Sequence, residues 1–206
     1  MKWQEDKFTR MAREKGYPAR SVFKLEEIQN RYSIIKKGAR VLDIGAAPGS
    51  WSLYVLNTLK SSCTLVAVDL KDLSPRVKSK NPLTFIRGNI LEEKTLSALV
   101  SLGPFSLILS DVAPSTTGDR IVDTARSLEL SEKIISIAES LLDKGGTIVL
   151  KIFQGEESQS LLDRMIRLFG KAKAFKPNAC KKGSMETYFI GFDYSGVSEQ
   201  TGEDIR

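Results

Sequence analysis

Histidine is absent from this sequence of 206 residues. The commonest general base and the commonest metal ligand of proteins are therefore missing, and acid–base chemistry must depend on lysine, carboxylate or tyrosine side chains. Cysteine is scarce too, with Cys63 and Cys180 in unrelated contexts. Two such residues provide neither a disulfide framework nor a metal-binding pattern. We therefore expect no metal site and a reducing, cytoplasmic location.

Long apolar runs are also missing. No stretch approaches the length of a membrane span, and the first six residues do not form a signal peptide, so we expect no membrane association. The length suits one α/β domain. We expect this domain to cover residues 1–194, with a basic helical extension at 1–37 and a polar, flexible tail at 195–206. Monomer is the default expectation.

Basic residues outnumber acidic ones, and the excess is unevenly distributed. Residues 38–170 hold 15 Lys/Arg and 15 Asp/Glu, whereas residues 1–37 hold 10 basic and 5 acidic side chains. Residues 171–182 hold 5 lysines and no acid. A neutral centre with basic flanks indicates a polyanionic partner that is bound at the edges of the fold.

The segment 40–51 predicts the first unit of a doubly wound α/β fold. A short apolar run at 41–44 leads into a glycine turn, and an amphipathic segment begins at Ser50. This is the pattern of a buried parallel strand that passes through a tight loop into a helix. Gly45 and Gly49 allow backbone N–H groups to approach a ligand closely.

The spacing of the two glycines restricts the ligand. The loop lacks the middle glycine of dinucleotide-binding folds and the lysine that follows the second glycine of P-loops. A pyrophosphate is therefore disfavoured, and a nucleoside without phosphates, such as S-adenosylmethionine, fits better. On spacing alone, a glycine turn without any ligand remains an alternative.

Apolar periodicity predicts the rest of the fold. Including the first, we expect seven strands in one sheet, mostly parallel with the last strand antiparallel, and helices on both faces. The further strands are predicted at 64–69, 83–87, 105–111, 147–153, 171–176 and 186–192. The helices are predicted at 21–32, 50–59, 92–102, 123–143 and 156–169, and Lys144-Gly145-Gly146 is predicted to end the long fourth helix.

Charged side chains occur at the ends of several predicted strands. Asp43, Asp69, Asp111 and Lys151 all fall at or near carboxyl ends, where open α/β sheets bind their ligands. If the last strand is antiparallel, its beginning at Glu186 lies at the same edge. We then expect Asp111, Lys151 and Glu186 to converge. An acid about twenty residues past the glycine loop, here Asp69, is where a ribose diol is commonly bound.

Several motifs follow one another along nearly the whole chain: GYPARSVFKLEEI (16–28), DIGAAPGSWS (43–52), SDVAP (110–114), KIFQG (151–155), KP (176–177) and SMETY (184–188). In these motifs the sequence resembles the RrmJ/FtsJ family of S-adenosylmethionine-dependent RNA 2′-O-methyltransferases. The resemblance implies a Rossmann-like class I methyltransferase fold, S-adenosylmethionine as cofactor and RNA as substrate. It also implies a catalytic tetrad at Lys24, Asp111, Lys151 and Glu186.

The chemistry of such an enzyme is compatible with these residue types. The methyl group of the cofactor is already activated, so the enzyme must mainly align a ribose 2′-hydroxyl and remove its proton. With no histidine available, Lys151 is the candidate general base. Lys24 is a candidate for stabilising negative charge on the 2′-oxygen, and the two carboxylates are expected to orient the lysines.

The resemblance also implies a set of cofactor-binding residues. It assigns Gly49 and Trp51 to the methionine end of S-adenosylmethionine, Asp69 to the ribose hydroxyls and Asp111 to the methyl-bearing end. A position in the hydrophobic core is the alternative for Trp51.

Asp43 and Gly45 complete the expected cofactor site. Where the family has an aspartate for the adenine, this sequence has Asn89, whose carbonyl can still accept from the adenine amino group, without the charge. Two further departures lie on loops expected to face RNA. Ser115 stands where the family has asparagine, and residues 179–181 read Ala-Cys-Lys in place of Ser-Arg.

The compact length resembles the bacterial enzymes that act on a uridine of large-subunit (23S) ribosomal RNA. A methyltransferase of tRNA anticodon loops and a non-catalytic RNA-binding relative remain alternatives. A base methyltransferase is disfavoured, because amino-directed enzymes need an Asn/Asp-Pro-Pro-aromatic loop and carbon-directed ones need a cysteine nucleophile in a suitable context. A dehydrogenase is disfavoured by the missing middle glycine.

Overall fold

The computed structural model describes residues 6–59, 63–78 and 82–196. Within these ranges the strands are β1 (Arg40–Ile44), β2 (Thr64–Asp69), β3 (Leu83–Arg87), β4 (Phe105–Ser110), β5 (Leu142–Phe153), β6 (Phe169–Phe175) and β7 (Glu186–Tyr194). The helices are α1 (Lys7–Glu14), α2 (Val22–Tyr32), α3 (Ser50–Leu59), α4 (Glu93–Leu102), α5 (Arg120–Leu141) and α6 (Ser158–Leu168). Most of the predicted tail, from residue 197 onward, and residues 1–5 of the predicted extension lie outside the described residues.

The strands form one sheet in the order β3-β2-β1-β4-β5-β7-β6. Strand β1 pairs in parallel with β2 and β4, and the parallel set continues to β3 and β5. Strand β7 runs antiparallel to both of its neighbours, β5 and β6. The predicted α/β sheet with an antiparallel last strand is confirmed. The strand order reverses between β1 and β4, which is where a doubly wound sheet opens its ligand crevice.

Alternate residues of the strands pack on opposite faces of the sheet. On one face, Leu42 and Ile44 of β1 pack in a core that includes residues of α4, α5 and α6. On the other face, Val41 packs with Leu25 of α2 and Val55 of α3. Because both faces are covered by helices, the central strands are nearly continuous apolar runs, which is why the sequence shows them clearly.

The long helix α5 differs from the prediction at both ends. It begins at Arg120, earlier than the predicted Asp123, because the Asp119 carboxylate caps it by accepting hydrogen bonds from the next backbone N–H groups. It ends at Leu141, and the segment 144–146 lies inside β5 instead of ending a helix. The pairing of β5 with β4 shifts register in this region, so the two glycines belong to an irregular strand start.

Helix α1 lies outside the two main cores. Ala12 of α1, Phe23 of α2 and Ala179 of the β6–β7 loop are buried in one small cluster. The N-terminal extension is thereby joined to a loop that is distant in sequence. Among the described helices, none is both long enough and apolar enough to cross a membrane.

Candidate active site

A cavity of about 410 Å³ opens at the carboxyl ends of the central strands, and its volume is usual for a small-molecule site. Its walls include five residues predicted from the sequence: Gly45, Asp69, Asn89, Asp111 and Lys151. A larger groove of about 850 Å³ lies between the N-terminal ends of α5 and α6, but its walls contain none of the predicted site residues.

Backbone geometry explains the glycines of the loop between β1 and α3. Gly45 has a φ angle of 73° and Gly49 one of 102°, a region that side chains with a Cβ rarely adopt. A Cβ on Gly45 would lie 2.9 Å from the Cβ of Val112, and one on Gly49 would lie 2.3 Å from Cγ2 of Val77. Neighbouring segments therefore pack so closely against the loop that a Cβ at either glycine would displace them.

Asp69, at the end of β2, is hydrogen-bonded to this loop. Its Oδ2 accepts a hydrogen bond from the backbone N–H of Ala47 at 2.9 Å, and its Oδ1 accepts from that of Lys71 at 2.8 Å. Oδ1 of Asn89 accepts from the backbone N–H of Leu91 at 3.0 Å. Each of these oxygens has a second lone pair, so both side chains can also receive a ligand donor.

Asp43 lies in the interior beside the site and is only 1% exposed. Its Oδ2 accepts from the hydroxyl of Ser52 at 2.6 Å, and its Oδ1 has no hydrogen-bond partner among the described residues. Burial raises the pKa of Asp43 to about 7; the Ser52 hydrogen bond opposes this shift, and the Asp111 and Asp69 carboxylates add to it. Asp43 therefore changes charge near neutral pH.

Two lysine–carboxylate pairs lie side by side at the edge of the sheet. Nζ of Lys151 lies 3.1 Å from Oδ1 of Asp111 and also donates to the Asp111 carbonyl. Nζ of Lys24 donates to Oε2 of Glu186 at 3.0 Å. The Tyr188 hydroxyl donates to Oδ1 of Asp111 at 2.7 Å, and its ring centre lies 5.9 Å from Nζ of Lys24. Tyr188 thus joins the pairs into one cluster.

Strand pairing explains why these side chains meet. In the antiparallel ladder of β5 and β7, Lys151 pairs with Tyr188 and Phe153 pairs with Glu186. The beginning of β7 therefore lies at the same edge as the end of β5, as predicted. Lys24 comes from the first turn of α2, whose neighbouring residue Leu25 is buried against the same face of the sheet.

The cluster is shielded from solvent, which strengthens its electrostatics. The side chains of Lys24 and Lys151 are each 9% exposed. Burial disfavours the charge of Lys24, but the Asp111 and Glu186 carboxylates outweigh burial and raise the pKa of Lys24 above its ordinary value. Burial and the Asp111 carboxylate also raise the pKa of Tyr188 well above its ordinary value. At neutral pH, Lys24 is therefore an ammonium and Tyr188 a hydrogen-bond donor.

Trp51 lies in the core, with an exposure of 2%. Its Nε1 donates to the carbonyl of Ser21 at 2.8 Å, and its ring lies 5.7 Å from that of Tyr188. Among the described residues, the cavity walls do not include Trp51, Gly49 or Asp43. Trp51 connects α3 to α2 and to the tyrosine of the cluster, and its direct contact with a cofactor stays a prediction.

Two buried polar side chains of α5, neither of them predicted from the sequence, hold the segments around the site in place. Asp123 of α5 accepts hydrogen bonds from the N–H and hydroxyl of Thr117, at 2.7 and 2.9 Å, and from the N–H of Gly118 at 3.2 Å. Four residues along the helix, the Ser127 hydroxyl accepts from the N–H of Phe153 at 2.9 Å. The first set fixes the loop after β4, and the second fixes the end of β5. The sequence contained one indication of this role: Asp123 and Ser127 are polar residues four apart on an otherwise apolar helix face.

Comparisons with known proteins identify the family of the chain. A family model described as FtsJ-like methyltransferase matches residues 17–194. A Treponema denticola protein named ribosomal RNA large subunit methyltransferase E is 42% identical over 193 residues, which cover 94% of this chain and 96% of that protein. A protein of the same name from Oleidesulfovibrio alaskensis is 40% identical over 209 residues, covering 99% and 100%. A Plasmodium falciparum structure described as a ribosomal RNA methyltransferase has a TM-score of 0.77 at 28% identity, covering 87% of this chain and all of that one.

Proposed function

This chain belongs to the FtsJ-like methyltransferase family, and we propose that it methylates a ribose 2′-hydroxyl of large-subunit (23S) ribosomal RNA, at a uridine, with S-adenosylmethionine as the methyl donor. The observation that carries the proposal is the cluster of Lys24, Asp111, Lys151 and Glu186 beside the glycine-loop cavity. The choice of RNA is supported by the curated relatives, which are named for the large-subunit RNA and are 40–42% identical over most of the chain.

The cavity suits S-adenosylmethionine. Gly45 of the loop lines the cavity, and the Asp69 carboxylate offers acceptors for two ribose hydroxyls. Asn89 offers an acceptor for the adenine amino group, and Asp111 is assigned to the methyl-bearing end. When bound, S-adenosylmethionine supplies a methyl group that its sulfonium has already activated.

The two lysines have separate tasks in this proposal. Lys151, as a neutral amine, accepts the proton of the 2′-hydroxyl at its Nζ. The carboxylate and the backbone carbonyl of Asp111 both orient the Lys151 amine. Lys24 remains an ammonium, because the pKa of Lys24 is raised, and stabilises the charge that develops on the 2′-oxygen. Glu186 holds Lys24 in place at 3.0 Å.

The basic residues of the segments 1–37 and 171–182 hold the RNA phosphates. The cluster of Ala12 and Ala179 brings α1 close to the lysine-rich segment 171–182, so the two basic flanks of the sequence lie near each other. Binding through phosphates weakens as salt increases, because condensed counterions are released from the RNA.

The proposal includes a cytoplasmic monomer. In the part of the chain that the structure describes, both cysteines are free and buried, as suits a protein kept in a reducing compartment. Light scattering of the purified protein tests the monomer directly.

The experiment supplies the protein with labelled S-adenosylmethionine and, in separate reactions, large-subunit ribosomal RNA, assembled large subunits and tRNA. The products are digested to nucleosides. We expect label in 2′-O-methyluridine from one of the large-subunit substrates. Label in tRNA alone would indicate a methyltransferase of the anticodon loop. Label in a methylated base would contradict the tetrad chemistry. RNA binding without any label would indicate a non-catalytic relative.

A further inference from the structure

The loop between β6 and β7 is held by helix α2 through its backbone. We call residues 176–184 the basic loop. The two carboxylate oxygens of Glu27 accept hydrogen bonds from the backbone N–H groups of Asn178 and Ala179, both at 2.8 Å, and from Nδ2 of Asn178 at 3.2 Å. The Arg20 guanidinium donates to the carbonyl of Ala179. Both backbone polar groups of the buried Ala179 are therefore bound by side chains from the α2 region.

These contacts lie on either side of a tetrad residue. Lys24 and Glu27 are three residues apart on α2, a spacing that places both side chains on one side of the helix, and Arg20 lies just before the helix begins. The far end of the basic loop leads to Glu186, the partner of Lys24, and the backbone N–H of Glu186 donates to the hydroxyl of Ser184 at 3.1 Å. The loop and the tetrad thus share one framework.

The basic loop is internally closed and carries unpaired charge. Nζ of Lys176 donates to the carbonyl of Ser184 at 2.6 Å, so the two ends of the loop meet. At its tip, Lys181 and Lys182 are exposed, and no ion pair involves them within the described ranges. Two ammonium groups held on a rigid loop beside the active site are suited to backbone phosphates.

Glu27 is a negative charge on a surface that must attract RNA. By electrostatics alone it weakens RNA binding, so a compensating task is needed to explain it. That task is visible in its three hydrogen bonds. Resting on the proposed function, we propose that Glu27 is a positioning residue that locks the basic loop onto α2, so that Lys181, Lys182 and Lys24 bind the RNA as one rigid unit.

The first test is Glu27→Gln, with Glu26→Gln as matched control. Glutamine has one acceptor oxygen where three N–H groups converge, and its own NH₂ opposes one of them, so the loop is released. Glu26 lies on the same helix and pairs only loosely with Lys15, at 3.7 Å, so its variant makes the same change of charge without touching the loop. Glu27→Asp keeps the charge but withdraws the carboxylate by one methylene, and it repeats the test at constant charge.

The measurement is the affinity for an unmodified 23S ribosomal RNA transcript as a function of salt, without S-adenosylmethionine. Removal of a negative charge alone leaves Glu26→Gln as tight as the wild type or slightly tighter. We expect Glu27→Gln and Glu27→Asp to bind about tenfold or more weakly near 0.1 M salt, with a salt slope reduced by roughly 1–2, the value for one or two lost phosphate contacts. General destabilisation does not change this slope, and unchanged affinity for S-adenosylmethionine confirms that the variants are folded.

A double-mutant cycle decides whether Glu27 acts through the loop. Made in the wild-type protein, the double substitution Lys181→Ala/Lys182→Ala should reduce the RNA affinity and the salt slope by the same amounts as Glu27→Gln does. Made in the Glu27→Gln protein, it should cause little further loss. The proposal is overturned if Glu27→Gln binds as tightly as Glu26→Gln, if the lysine variant binds like the wild type, or if the losses simply add. A wild-type protein that binds RNA in this way but transfers no methyl group would contradict the proposed function and leave this inference standing.

Discussion

The Asp43 carboxyl group should make the stability of the protein depend on pH in a range where most proteins respond through histidine, which this chain lacks. Burial raises its pKa from 3.8 to about 7 in the folded state. Between these two values the folded protein binds one proton more than the unfolded chain, so its stability falls as the pH rises. A raised pKa means that the contribution is fully present below pH 3.8 and lost by the time the pH has passed 7.

The expected magnitude follows from the shift. One pKa unit corresponds to about 1.4 kcal/mol, and the carboxyl is half titrated when the pH equals its folded pKa of about 7. Asp43 therefore lowers the free energy of unfolding by about 2 kcal/mol between pH 5 and pH 7. Urea unfolding at a series of pH values measures it. Asp43→Asn keeps an oxygen for the Ser52 hydroxyl and removes the titration, so its stability should be nearly constant over this range. The same pH dependence in the wild type and the variant would show that Asp43 does not titrate in this range.

Three further predictions concern the geometry of the site. Tyr188→Phe removes the 2.7 Å hydrogen bond to Asp111. Because hydrogen bonds to charged groups contribute about 1.5–3 kcal/mol, kcat should fall roughly 10- to 100-fold while the Kd for S-adenosylmethionine changes little. Unchanged kcat would show that Tyr188 does not connect the two lysine–carboxylate pairs. Gly45→Ala should weaken cofactor binding at least about tenfold in calorimetry, because its Cβ would meet Val112 at 2.9 Å. The control Gly38→Ala should bind the cofactor normally, because Gly38 has a similar positive φ of 78° but nothing lies within 4 Å of its Cβ. Equal effects of the two substitutions would point to backbone strain alone. Asp123→Asn retains one acceptor for the N–H groups of Thr117 and Gly118, so their amide hydrogen exchange should accelerate while cofactor affinity is kept; unchanged exchange would contradict the proposed anchoring of the loop.

The fold was predictable because the central strands are buried on both faces. The run 64–69 is buried and apolar except at its two ends, and it reappears with the same bounds as β2. The edge strand β3 also keeps its predicted bounds, 83–87, although its residues are half-buried or exposed. The ends of α5 were not predictable to the same degree. Its start depends on a cap by Asp119, and the glycines at 145–146 serve a strand irregularity that only the pairing of β4 with β5 reveals.

The site, like the fold, was only partly predictable from the sequence. The convergence of Asp111, Lys151 and Glu186 followed from strand ends and one antiparallel strand, and the structure brings all three together. Lys24 entered only through the family resemblance, because nothing local in a helix that precedes the sheet indicates where its side chain will point. Tyr188 was missed although it lies two residues after Glu186, a spacing that puts both side chains on one face of β7.

In the proposed mechanism, Lys151 removes the proton of the ribose hydroxyl at this cluster. Single-turnover methyl transfer to 23S ribosomal RNA, with saturating S-adenosylmethionine, tests it most directly in Lys151→Ala, with the Kd for the cofactor and the RNA measured on the same preparation. We expect that transfer is abolished while cofactor binding is unchanged. Retained turnover in a variant that still binds both ligands would contradict it.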